Sequence, residues 1–236
     1  MTTAAEIVEE LKPLGSESYK RILLKHGARE PFFGVKVEEL KKIQKRIKKD
    51  HQLALDLYAT GISDAMYLAG LIADDARMTK RDLERWVKQA SWHMLSEYTV
   101  AGTAANSPHG RELALKWIDS KNEQIASAGW ATLSGVVATR PDGELDLAEL
   151  KRLLKRVEQT IHEQPNCVRS TMNGFVIAAG CYVAKLTDLA IKTAEKIGPV
   201  HVDFGETACE VPSAPEYIQK VKDRGTIGKK RKSAKC

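Results

Sequence analysis

Apolar residues recur at three- and four-residue intervals along almost the whole chain, and the pattern breaks only at short turns. A strand would need β-branched and polar residues in alternation, and almost none alternate here. The chain is therefore expected to be all-α. The first helical pattern covers about residues 3–12 and stops at Pro13. Ser16 is placed to cap SESYKRILLKHG, which ends on Gly27. An irregular segment, AREPFFGVK, leads into VEELKKIQKRIKKD, whose Val37, Leu40, Ile43 and Ile47 share one face. From His51 onward the patterns come in pairs joined by short turns, each pair occupying roughly 35–45 residues. That spacing fits stacked hairpins of the HEAT type, an α-α superhelix; an irregular helical bundle is the competing arrangement. Small residues (Ala126, Ser127, Ala128, Gly129, Gly174, Ala178, Ala179, Gly180) let helices approach closely in either. In a solenoid, one layer of helices lines a concave face able to grip an extended ligand.

The helical repeat domain is expected over residues 1–197, followed by an irregular, basic C-terminal extension over 198–236. PVHVDFGETACEVPSAP has no helical period and holds three prolines, and PEYIQKVKDRG reads as one last short helix. The formal net charge is +6. All of that surplus lies in the stretch from Glu216 to Cys236, which holds eight Lys or Arg and two acids. A run such as KKRK is either a solvated end or an arm that touches something negative. No segment approaches the length of an apolar membrane span. MTTAAEIVEELK carries acids before any base and has no positive region followed by an apolar run, so no secretory signal is expected. Cys167, Cys181, Cys209 and Cys236 form no CxxC pair, which fits a reducing, bacterial cytoplasm better than a disulfide framework.

Four constellations could carry chemistry. KKIQKRIKKD sets Lys41, Lys42, Lys45, Arg46 and Lys49 around the polar side of a helix, as a solvated face or as phosphate contacts. QASWHMLSEYTV holds Trp92, His93, Glu97 and Tyr98 within two helical turns, and α-helical spacing puts His93 and Glu97 on one face. A carboxylate beside aromatic rings can stabilise a developing cation. Arg169 and Asn173, one turn apart on an otherwise apolar helix, need a groove or a polar network. His201, Asp203, Glu206 and Cys209 are acceptable metal-ligand types, but their spacing matches no established zinc pattern, and no metal is expected. No P-loop, GxGxxG opening a helix, or GxSxG occurs, so no cofactor, nucleotide cofactors included, is expected.

FFGVKVEELKKIQKRI, the tryptophan-led SWHMLSEY and the late helix MNGFVIAAG, in this order within a helix-pair solenoid, resemble the bacterial DNA alkylation repair family, the HEAT-like-repeat alkylpurine DNA glycosylases. The resemblance covers roughly residues 15–195. It implies excision of N3- and N7-alkylated purines without flipping the lesion into a pocket. It also implies a duplex held by its backbone, tryptophans packed on deoxyribose, an acid stabilising the oxocarbenium-like sugar, and an arginine on phosphate. Carried over, Trp92 falls on the outer tryptophan, His93 on the stacking ring and Glu97 on the acid. Sliding by one residue puts Trp92 on the stacking ring and Ser96 on the acid. The arginine falls near Ala126 or Ser127, and the second tryptophan becomes Phe175.

Two functions of different classes follow. The first is a DNA-binding repair protein, with Glu97, Trp92, His93 and Phe175 as candidate catalytic residues of an alkylbase DNA N-glycosylase, a hydrolase. The alternative is a non-catalytic HEAT-repeat binder of DNA or DNA structures, or a protein scaffold. The expected partner is double-stranded DNA, held by Lys41, Lys42, Lys45, Arg46, Lys49, Arg169, Asn173 and the tail's Lys229, Lys230, Arg231 and Lys232. The protein is expected to act as a monomer, away from membranes, near the nucleoid.

Overall fold

The computed structural model describes residues 2–205, 207 and 209–235. Its helices are α1 (Ala4–Leu11), α2 (Glu17–Lys25), α3 (Val37–Ile47), α4 (His51–Ala59), α5 (Ser63–Ile72), α6 (Lys80–Gln89), α7 (Ala101–Asn106), α8 (Gly110–Trp117), α9 (Glu123–Thr139), α10 (Leu147–Thr160), α11 (Asn166–Tyr182), α12 (Thr187–Ile197) and α13 (Ala214–Asp223). Among the described residues there is no strand, only one isolated antiparallel bridge between Gly15 and Val35. Caps set several starts. Thr3 and Thr79 form reciprocal capping boxes with Glu6 and Asp82, and Ser16 accepts from the Tyr19 amide as its position predicts.

Two layers result. One is built from α5, a seven-residue π-helical turn (Met94–Val100) continued by α7, then α9, α11 and α13, each packed on the next. This is the inner layer. The outer layer runs α4, α6, α8, α10 and α12, with α4 and α8 laid against α5 and α9. Ion pairs lace the outer helices together. Lys80–Glu112 (2.6 Å) and Lys116–Glu84 (2.7 Å) join α6 to α8, and Arg111–Glu149 (2.6 Å) joins α8 to α10. The partners stand about one repeat apart in sequence, so helix-pair stacking brings them level. Exposed pairs of this kind contribute only ~0.2–1 kcal/mol each.

Stability comes from the core between the layers. One apolar cluster spans α1 to α9, a second spans α8 to α13, and both share α8 and α9. Tyr58 and Trp86 stack at 4.0 Å between α4 and α6, and the Tyr58 hydroxyl donates to the Trp86 carbonyl at 2.8 Å. The FFGV segment is pinned by buried Asp64, whose carboxylate accepts from the Phe33 and Val35 amides at 2.6 and 2.8 Å. Burial pushes this carboxyl up, and those amides oppose the shift.

The C-terminal extension begins with the short helix its sequence suggests and then packs on the helical body. Ile218 of α13 is fully buried against Gly180 of α11, so α13 continues the inner layer. Beyond it the chain turns back as a strap across the C-terminal ends of the inner helices. The Gly228 amide donates to the Cys181 carbonyl and the Arg231 amide to that of Ala138. Lys230 reaches the Val137 carbonyl (2.8 Å) and Asp142 (2.8 Å). Asn106 holds Ser233 and Ala234, and Lys235 pairs with Asp75 at 2.5 Å. The physical reason is that helix C-termini present unsatisfied carbonyls and negative dipole ends, which backbone amides and lysine satisfy. Lys229, Arg231 and Lys232 keep their side chains exposed. No single helix among the described residues is long and apolar enough to cross a membrane.

Candidate functional site

The α-helical spacing assumed for SWHMLSEY does not hold. The pattern breaks after α6 at Ala90 and resumes as the π turn. Bonding five residues back adds a residue to the turn, a device often found at functional sites. Trp92 consequently packs into the core at 6% exposure, edge-on to His93 at 5.1 Å. Phe175 is fully buried against Trp130, 5.3 Å between centroids. Both rings are thus packed in the core of this structure, whereas the resemblance places them as aromatic faces. His93 and Glu97 are brought together, since both line a cavity of about 280 Å³ bounded by the end of α2, the start of α11 and residues 202–205.

Glu97 also lines a second cavity of about 370 Å³ in the inner layer. The floor there is small residues of α7, α9 and α11, among them Gly102, Gly135 and Gly174. Tyr98, Tyr182, Tyr217 and the strap's Arg231 complete its lining. The residue as a whole keeps some surface, but Glu97 Oε1 is out of solvent and has no hydrogen-bond partner. Its neighbours are tied to one another. Ser96 Oγ donates to Gln124 Oε1 at 2.9 Å, and the Cys167 amide donates to Glu123 at 2.8 Å.

Burial pushes the Glu97 carboxyl up to about 8; the Ser127 hydroxyl beside it works the other way, and Glu123 adds to the rise. At neutral pH this group is mostly protonated. Near the position where the resemblance calls for an arginine (Ala126 or Ser127), Ser127 stands against the carboxyl, and among the described residues no cation is beside it. Cys167 is pushed up to about 12 by burial first and then by Glu97 and Glu123, so it stays a thiol and is no nucleophile. Burial, then His26, lowers His93, which keeps its ring neutral.

Asn173 joins Glu97 in the lining of the inner-layer cavity, and the other candidates are dispersed. Lys42 pairs with Glu39 (2.7 Å), Arg46 with Glu10 (2.5 Å) and Lys49 with Asp74 (3.7 Å), all exposed. Lys41 and Lys45 have no ion pair among the described residues. Arg169 donates to Asn166 (2.7 Å) and Asn173 to the Pro212 carbonyl (2.9 Å). Both line a larger cleft of about 950 Å³ under the 199–213 loop. Among the described residues no three His, Cys, Asp or Glu are grouped to hold a metal ion. Glu206 and Cys236 lie outside the described residues. Sequence reasoning missed Tyr182 and Tyr217 of the Glu97 cavity, because segments distant from Glu97 supply them. One signal was present: Gly174, a glycine in the middle of a long helix.

Comparisons with known proteins bear on what this arrangement serves. The family model described as DNA alkylation repair enzyme matches residues 7–218. Uncharacterized proteins of Listeria innocua and Listeria monocytogenes are each 32% identical over 230 residues, 95% of this chain and 99% of theirs. A solved structure, 38% identical with a TM-score of 0.89, covers 98% of both chains. It is described as representing a new family of proteins related to the HEAT-like repeat DNA glycosylases, with affinity for branched DNA structures.

Proposed function

The chain belongs to the DNA alkylation repair enzyme family, and from that premise we propose that it binds DNA, favours branched structures, and does not excise bases. The observation that carries this reading is its likeness, along nearly its full length, to a protein described as having affinity for branched DNA. The site chemistry agrees with the second half. Stabilising an oxocarbenium-like sugar needs an ionised carboxylate, and burial keeps the Glu97 carboxyl protonated until about pH 8. The two aromatic faces that would pack on the sugar, Trp92 and Phe175, are in the core. Backbone contact suits the exposed cations of α3 and the strap, which can neutralise phosphates without reading bases.

The test measures binding of the full chain to a four-way junction, a flap and a linear duplex at equal salt, with base release from methylated DNA followed in parallel. At least about ten-fold preference for the branched forms is expected, a difference of about 1.4 kcal/mol. No 7-methylguanine should appear above the protein-free rate. Release that is lost in Glu97→Gln would make the protein an alkylbase DNA N-glycosylase. Equal affinity for all three DNAs would remove the branched-structure reading.

A further inference from the structure

We propose that the inner-layer cavity beside Glu97 receives one unpaired nucleobase from the branch point, stacked on the tyrosines of its lining and hydrogen-bonded through an N–H to the Glu97 carboxyl. The proposal rests on the branched-DNA reading above and adds to it a site and a ligand.

Three observations converge on this cavity. The first is Glu97 Oε1, withdrawn from solvent with no partner in the protein. A buried acceptor left unpaired is costly, and a donor from a ligand would satisfy it. The second is Gly174 in the middle of α11. Glycine is the poorest helix former short of proline, and helical glycines elsewhere in this fold are explained by close approach. A Cβ on Gly129 would meet the Ile118 amide at 2.7 Å, and one on Gly180 would meet Ile218 at 2.6 Å. A Cβ on Gly174 would meet nothing within 4 Å. Its missing side chain leaves room in the cavity. The third is the lining, where Tyr217 on α13, about half exposed (48%), Tyr182 and Tyr98 supply aromatic rings.

The combination suits a base better than other ligands. Its volume, about 370 Å³, is at the lower end of the range of about 300–1,000 Å³ typical of small-molecule pockets. Aromatic faces stack any base, and Arg231 on the strap stands where the attached phosphate would run. The carboxyl is held neutral by burial, so an uncharged base meets no net charge. An unpaired base at a junction is also the least costly to extrude.

The experiment uses a three-way junction with 2-aminopurine at the branch nucleotide and the full chain, with the linear duplex as reference. Binding of the wild-type protein should change the probe's fluorescence. Gly174→Leu fills the cavity without a clash at its Cβ, so it folds. It should abolish the fluorescence change and lower junction affinity about ten-fold. Tyr217→Ala should lower the junction-to-duplex ratio, and Tyr217→Phe, which keeps the ring, should restore it. A wild-type protein that prefers junctions, leaves the probe unchanged and tolerates Gly174→Leu would overturn the pocket while the branched-DNA reading stands. A wild-type protein with no junction preference would overturn both.

Discussion

At the residue scale the decisive group is Glu97. Its carboxyl titrates near pH 8 in the folded protein and near the ordinary glutamate value of 4.5 in the unfolded chain. Between those values the folded state keeps a proton that the unfolded state has released, so stability falls as pH rises and levels off above about 8. Glu97→Gln keeps the shape and removes the titration. Its melting temperature should match wild type near pH 4.5 and exceed it increasingly up to pH 8. The gain there should be of the order of 2–4 kcal/mol, reduced from full linkage because the residue retains some exposure. Thermal melts across pH 4.5–8.5 check this. A constant difference at every pH would show that Glu97 does not carry a raised pKa. A glycosylase acid would be expected to behave oppositely, losing activity and gaining nothing in stability at neutral pH.

At the element scale the junction of α8 and α9 is the tightest point between the two core clusters. Gly129 there faces the Ile118 amide and the Ala114 carbonyl at 2.7 and 3.0 Å from where its Cβ would stand. Backbone cannot give way as a flexible side chain can. Gly129→Ala should therefore destabilise by about 1–3 kcal/mol despite alanine's better helix propensity. Urea unfolding measures it, and a neutral or stabilising result would mean that the helices stand further apart. The helices themselves were legible in the chain, because a 3.6-residue apolar stripe reports burial directly. Ser16 was legible as a cap for the same local reason. The π turn was not. Nothing in WHMLSEYT marks a switch to bonding five residues back, so Trp92 was assigned to a ligand face when packing sends it inward. The strap was equally hidden. KKRK reads equally as a solvated end or an anion-binding arm, and only the folded geometry shows that the carbonyl ends of α5, α9 and α11 converge where it passes. Gly174 shows another case: it reads as one of the small residues that let helices approach, and only the fold shows that nothing lies within 4 Å of where its Cβ would stand.

At the scale of the whole molecule the question is where the positive charge stands once every side chain is placed. The sequence holds two basic runs, KKIQKRIKK with six basic residues of nine and KKRK with four of four, and charge counting alone does not say which meets phosphate. The fold does. On α3 Lys42 and Arg46, and just beyond it Lys49, face Glu39, Glu10 and Asp74, which leaves Lys41 and Lys45 as the helix's lysines without an ion pair among the described residues. A cation already beside a carboxylate brings little net charge to a phosphate. On the strap, Lys229, Arg231 and Lys232 are exposed, and the strap that carries them is held by the Arg231 amide on α9 and the Gly228 amide on α11, with Arg231 at the inner-layer cavity. Each phosphate contact contributes about −0.9 to the slope of log K against log salt concentration. Replacing Lys229, Arg231 and Lys232 together by glutamine should flatten that slope by about 2–3 for duplex and junction alike. Replacing Lys42, Arg46 and Lys49 together should change it by less than about 1. Titrations from low to physiological salt distinguish the two sets. The reverse ranking would move the DNA to the α3 side of the molecule, away from Glu97, and would leave the strap as a device that only closes the ends of the inner helices.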